Sequence, residues 1–126
     1  MARFVDLISD YPVSTGEVRL KIVIGDAQIG SSVVKLGRKV IARGDIDNLL
    51  VGNGPELPGR KLNIKTMVND VNPQTDRTDV LYIVKGGAHD NEWVCSYTAP
   101  QGGEVVYRAR FNLVAASPDR GKEVEP

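Results

Sequence analysis

A period of two dominates the apolar and polar positions over three stretches of this chain. In residues 104–114 the odd positions are Val105, Tyr107, Ala109, Phe111 and Leu113, and the even ones Glu104, Val106, Arg108, Arg110 and Asn112. Residues 17–24 set Val18, Leu20, Ile22 and Ile24 against Glu17, Arg19 and Lys21, and residues 61–69 set Leu62, Ile64, Thr66 and Val68 against Lys61, Asn63, Lys65 and Asn69. Successive side chains of a strand point to opposite faces, so each stretch predicts a strand with one packed and one wet face. Residues 80–85 are apolar at both parities, which predicts a central strand or one covered twice. Residues 92–98 separate Trp93, Cys95 and Tyr97 from Val94, Ser96 and Thr98. Shorter runs at 4–8, 33–36 and 39–42 fit strands, and 45–51 fits a strand or one helical turn.

Between these runs lie residues 10–16, 25–32, 52–59, 72–79, 86–91 and 100–103, which hold most of the Gly, Pro, Asn and Asp. These are turn-forming residues placed as punctuation. Pro100-Gln101-Gly102-Gly103 reads as the loop of a hairpin joining Tyr97 to Tyr107. No helical stripe extends over ten residues. The expected fold is therefore all-β: one antiparallel β-sandwich of immunoglobulin-like size, with about seven or eight short strands across residues 1–116. Residues 117–126 read as a polar, mobile C-terminal tail. Gly103-Glu104-Val105-Val106-Tyr107, entering an alternating strand, resembles the penultimate or last strand of immunoglobulin-like domains. The chain departs from antibody domains in having one cysteine and in carrying Trp93 late.

The 126 residues suit one domain, large enough to hold a core without disulfide or metal. Sixteen Lys and Arg balance sixteen Asp and Glu, which argues against a dedicated nucleic-acid binder. The balance hides a polarity: residues 1–63 hold nine basic and seven acidic side chains, and residues 64–126 the reverse. The opening residues do not match a secretory signal, because Asp6 interrupts the apolar stretch. No run is long enough to cross a bilayer as a helix. With Cys95 as the single cysteine, a reducing cytoplasm is expected; a secreted chain trimmed of its signal would read the same.

The candidate chemistry is sparse. Gly54–Lys61 has the spacing of a phosphate loop, but Pro55 and Pro58 remove backbone donors and Lys61 stands where a hydroxyl is needed. A strand pattern follows it where a helix N-terminus is required. His89 and Cys95 are the only imidazole and thiol, six residues apart across a loop, and read as a surface histidine and a core thiol. Asp45, Asp47, Asp70, Asp79 and Asp90 offer hard oxygens for Ca²⁺, although no spacing matches a calcium loop, and Asp is also a default turn residue. Trp93, Tyr82, Tyr97 and Tyr107 could build a sugar-stacking surface, or supply the core of a chain with only seven aromatics.

Two basic groups remain. Lys35, Arg38, Lys39 and Arg43 form a stretch without an acid, and Arg108 and Arg110 lie on the wet face of the last strand. Arginine favours interfaces. The expected function is a non-catalytic binding or assembly module acting through a strand face, an edge or end loops. Its partner would be a protein or a second copy, with no nucleic acid, membrane or cofactor. The alternative is a calcium-dependent carbohydrate-binding sandwich, and a third reading is an enzyme using carboxylates or His89.

Overall fold

The computed structural model describes residues 3–98 and 103–116. Within them lie nine strands and no α-helix: β1 (Arg3–Val13), β2 (Glu17–Ile24), β3 (Ile29–Leu36), β4 (Lys39–Gly44), β5 (Leu49–Asn53), β6 (Lys61–Asn69), β7 (Arg77–Lys85), β8 (Asn91–Thr98) and β9 (Glu104–Ala115). One 3₁₀ turn, Gly54–Glu56, precedes β6. The protein is all-β, with two sheets. Five strands run in the order β1-β9-β6-β3-β4 and four in the order β5-β2-β7-β8.

The alternation dictates which side chains meet. Leu62, Ile64 and Val68 of β6, and Val105, Tyr107, Phe111 and Leu113 of β9, turn inward from the larger sheet. Val18, Leu20, Val80, Tyr82 and Val84 turn inward from the smaller one, and all belong to one buried cluster. Thr66 and Ser32, also buried, hydrogen-bond each other at 2.7 Å, so neither hydroxyl is orphaned. Tyr107 keeps its hydroxyl satisfied at depth, donating to the Thr78 carbonyl at 2.9 Å and lying 2.6 Å from Thr78 Oγ1.

Four expectations need correction. Among the described residues there are nine strands, not seven or eight, because Leu49–Asn53 forms β5; β1 also runs on through Tyr11 and Val13, which alternate inward past residues that read as a turn. Residues 45–51 resolve into a loop that buries Ile46, followed by β5. The sheets are not wholly antiparallel, since β1 runs parallel to β9 in unbroken register from Arg3↔Val105 to Val13↔Ala115. Nor do β8 and β9 form a hairpin: β8 pairs with β7 in one sheet, whereas β9 lies between β1 and β6 in the other. Most of the proposed hairpin loop, and the tail from residue 117, lie outside the described residues.

One backbone position shows how tightly the ends are built. Gly86 follows β7 with φ +91°, and a Cβ there would stand 1.8 Å from the Glu17 carbonyl oxygen. Only glycine meets both demands. Its N–H is held by Asp90 Oδ1 at 3.0 Å. Among the described residues no helix is long and apolar enough to cross a membrane.

A basic groove on the five-stranded sheet

The wet faces of β9 and β6 are neighbours in register, and this carries the basic residues together. Across the sheet, Asp6 stands opposite Arg108, Arg108 opposite Lys65, Lys65 opposite Val33, and Val33 opposite Arg43. The adjacent row runs Ile8, Arg110, Asn63 and Lys35. Neighbouring strands are about 4.8 Å apart and successive residues on one face about 7 Å apart, so these cations form a lattice at that spacing. The β3–β4 hairpin supplies one more. It turns through Gly37-Arg38, with φ +63° at Gly37, the position a type II′ turn reserves for glycine. The result is a groove of about 980 Å³ lined by six cations, Lys35, Arg38, Arg43, Lys65, Arg108 and Arg110, and one acid, Asp6.

That acid is already engaged. Arg108 donates from Nε to Asp6 Oδ1 at 2.6 Å and from Nη2 to Asp6 Oδ2 at 2.9 Å. The hydrogen bonds from Arg108 hold the Asp6 carboxyl below the usual carboxylate range. The guanidinium carbon also lies 4.4 Å over the Phe4 ring, which fixes the fork between a carboxylate and an aromatic face. Arg110 donates from Nε to Asn63 Oδ1 at 2.9 Å, and Asn63 Nδ2 donates to the Gly37 carbonyl at 3.2 Å. The arginine and the hairpin tip are thereby tied together. Beside the groove Val106, between Phe4 and Met67 in register, is buried outside the common core and forms an apolar shelf.

Five of the six residues expected to contact a partner therefore converge on this groove. Lys39 does not line it. Lys65 is the addition, an outward position on an alternating strand whose neighbours only the register reveals.

The remaining candidates disperse. Asp45 is exposed and Asp47 pairs with Lys21 at 3.4 Å on the β4–β5 connection. Asp90 holds the turn after β7. Asp70 and Asp79 flank the β6–β7 connection in separate pairs, Asp70 with Asp76 and Asp79 with Asp26. A shared hydrogen bond with the neighbouring carboxyl raises Asp26 and Asp76 above the usual range. Burial works to raise Asp79 too, but hydrogen bonds from Asp26, Ser96 and Arg77 bring it below that range. Among the described residues, no three His, Cys, Asp or Glu side chains are grouped to hold a metal ion.

Tyr82 and Tyr107 are buried, and Trp93 packs 4.5 Å from Phe111 between ring centroids, so these rings serve the core. The His89 carbonyl accepts from the Tyr11 hydroxyl at 2.6 Å. Cys95 is half-buried on β8, and burial pushes its thiol up.

The least anticipated residue is Gln28, buried between β2 and β3. Its Nε2 donates to Asp70 Oδ1 at 2.9 Å, the Thr75 carbonyl at 3.2 Å and the Arg77 carbonyl at 3.0 Å. Its Oε1 accepts from the Val71 and Asn72 N–H groups at 2.7 and 2.9 Å. One amide thus shapes the whole β6–β7 connection. No protein family, curated protein or solved structure matches this chain.

Proposed function

We propose that this chain is a non-catalytic binding module on a β-sandwich of immunoglobulin-like size, and that the outer face of its five-stranded sheet recognises an acidic protein partner. The observation that carries this reading is the imbalance in the groove: six cations against a single acid, itself committed to Arg108. A groove lined by one sign of charge attracts the opposite sign and steers its approach. The exposed ring of Phe4 and thioether of Met67 beside it offer apolar contact of the kind interfaces use.

Protein is favoured over single-stranded nucleic acid by the aromatic count. Sequence-tolerant strand binders stack successive bases on a row of rings. Among the described residues this face has Phe4 alone, already covered by Arg108. Calcium-dependent sugar binding draws no comparable support, because the acidic residues form separate pairs and the tyrosines are largely inside.

The test compares wild-type protein with the Lys65→Glu, Arg43→Glu double variant against a polyglutamate peptide and a single-stranded oligonucleotide. The reading expects salt-sensitive peptide binding that the double variant loses while its melting curve stays in place. Oligonucleotide binding without peptide binding would overturn it, as would a variant that binds the peptide like wild type.

A further inference from the structure

The long edge of the five-stranded sheet has an orientation that can be derived. Within a strand, the N–H and C=O of one residue point to one side and those of the next to the other. The Pro12 carbonyl accepts from Ala88 N–H at 2.9 Å, in the connection after β7, so it points away from β9. The Val13 carbonyl accepts from Ala116 N–H at 2.9 Å, on the β9 side. Because the register with β9 never slips, Phe4, Asp6 and Ile8 share the orientation of Pro12 and present their main-chain groups to the open edge. The connection after β7 covers this edge only from Tyr11 onward, through the Tyr11 hydroxyl and the Pro12 carbonyl. At Phe4, Asp6 and Ile8 no described residue occupies the outward groups.

Proteins blunt exposed edges with bulges, lysines or short strands. The edge strands β4 and β5 fit that rule: six and five residues long, each joins its neighbour through a register shift. The fourth edge, β8, carries one apolar residue, Val94, among its outward side chains Glu92, Val94, Ser96 and Thr98. The first half of β1 has no such protection. It is unbulged and lysine-free, and Phe4 and Ile8 are 55% and 69% exposed.

We infer that the Arg3–Ser9 half of β1 pairs antiparallel with the same segment of a second copy, across a two-fold axis through Asp6. The self-complementary register is the argument for that occupant. With Asp6 on the axis, Phe4 stands opposite Ile8 of the second copy and Ile8 opposite its Phe4. All three pairs are of the hydrogen-bonded kind, which exchange two main-chain bonds each. Sliding by one pair places Phe4 opposite Asp6, or Asp6 opposite Ile8 and Phe4 opposite Asp10, and both apolar pairs are lost. Two carboxylates meet at the axis, a cost for bare charges, but each is neutralised by its own Arg108. The product is a ten-stranded sheet with two basic grooves side by side on one face, so a partner with two acidic sites gains from avidity. The pairing holds whatever the groove binds.

Cysteine trapping and sedimentation test this. Paired residues of the hydrogen-bonded kind have Cα atoms about 5.5 Å apart, within the range a disulfide spans. In a Cys95→Ala background, Asp6→Cys should oxidise to a covalent dimer while Asp10→Cys stays monomeric. In sedimentation across a concentration series, wild type should pass from 13.7 kDa to twice that mass. Ile8→Lys should move the midpoint upward by roughly tenfold or more, since an edge lysine blocks strand addition. Val94→Lys, equally exposed on the other sheet, should leave it unchanged. A wild type monomeric to its solubility limit, equal cross-linking at positions 6 and 10, or association insensitive to Ile8→Lys would each overturn the inference.

Discussion

Replacing Gln28 with alanine isolates what one buried amide contributes. The side chain makes five hydrogen bonds, three as donor and two as acceptor, all to residues 70–77. Each intramolecular hydrogen bond contributes about 1 kcal/mol net, and a buried partner left unsatisfied costs about 1–3 kcal/mol. Only the bond to Asp70 is fully buried; the other four groups are part-buried, and water can recover some of their loss. The expected destabilisation is therefore about 2–4 kcal/mol. For a domain of this length that lowers the melting temperature by roughly 8–16 °C. Urea unfolding should show a lower midpoint with an unchanged slope. A companion, Gln28→Glu, keeps the acceptor for Val71 and Asn72 but turns an anionic oxygen on Asp70 and two carbonyls. Its carboxyl should titrate above the ordinary glutamate range, so its deficit should be large at pH 7 and shrink as pH falls and the group can donate again. A loss under about 1 kcal/mol for the alanine variant would refute the reasoning, as would a glutamate variant whose deficit does not depend on pH.

Further outcomes follow from other positions. Asp26 Oδ2 is enclosed 4.0 Å from Arg77 Nε, and a hydrogen bond shared with the neighbouring Asp79 carboxyl raises the affinity of Asp26 for a proton. A raised carboxyl gives stability that is full below its unfolded value and lost as pH rises through the folded one. Asp26→Asn should thus raise the melting temperature more at pH 7 than at pH 3, and an equal gain at both would contradict the electrostatic origin. Tyr107→Phe strips a buried hydroxyl from the Thr78 carbonyl and hydroxyl and should cost about 1–3 kcal/mol in denaturant unfolding. Gly86→Ala forces a Cβ against the Glu17 carbonyl at positive φ and should cost at least about 2 kcal/mol, more than alanine at the open Gly59 turn.

The strands that sequence made plain are those whose alternation is clearest, β2, β6 and β9, because burial on one face is a local property. What it hid is pairing. Asp10, Tyr11 and Pro12 read as a turn, yet Tyr11 and Val13 are buried and β1 runs on through them. The partner of that strand lies more than a hundred residues away, as the Asp6–Arg108 separation of 102 shows. Pro100–Gly103 has the composition of a hairpin loop, but composition cannot say whether a chain returns to its own sheet or crosses to the other.

The groove was half legible for the same reason. Arg108 and Arg110 sit at wet positions of a clear strand, and Lys35, Arg38 and Arg43 in an acid-free stretch. Lys65 joins them only through cross-strand register. Lys39 shares that stretch but does not line the groove. Gln28 had no local signal, being one of several polar residues in a segment that reads as a loop.

The proposed binding surface is one face of one sheet. Titrating an acidic peptide into isotope-labelled protein and following backbone amide shifts locates it. Salt-sensitive changes should cluster at Val33, Lys35, Arg43, Asn63, Lys65, Arg108 and Arg110, with the β2, β7 and β8 amides unmoved. Changes centred on the smaller sheet or on the Asp70–Asp79 connection, or none at low salt, would contradict it.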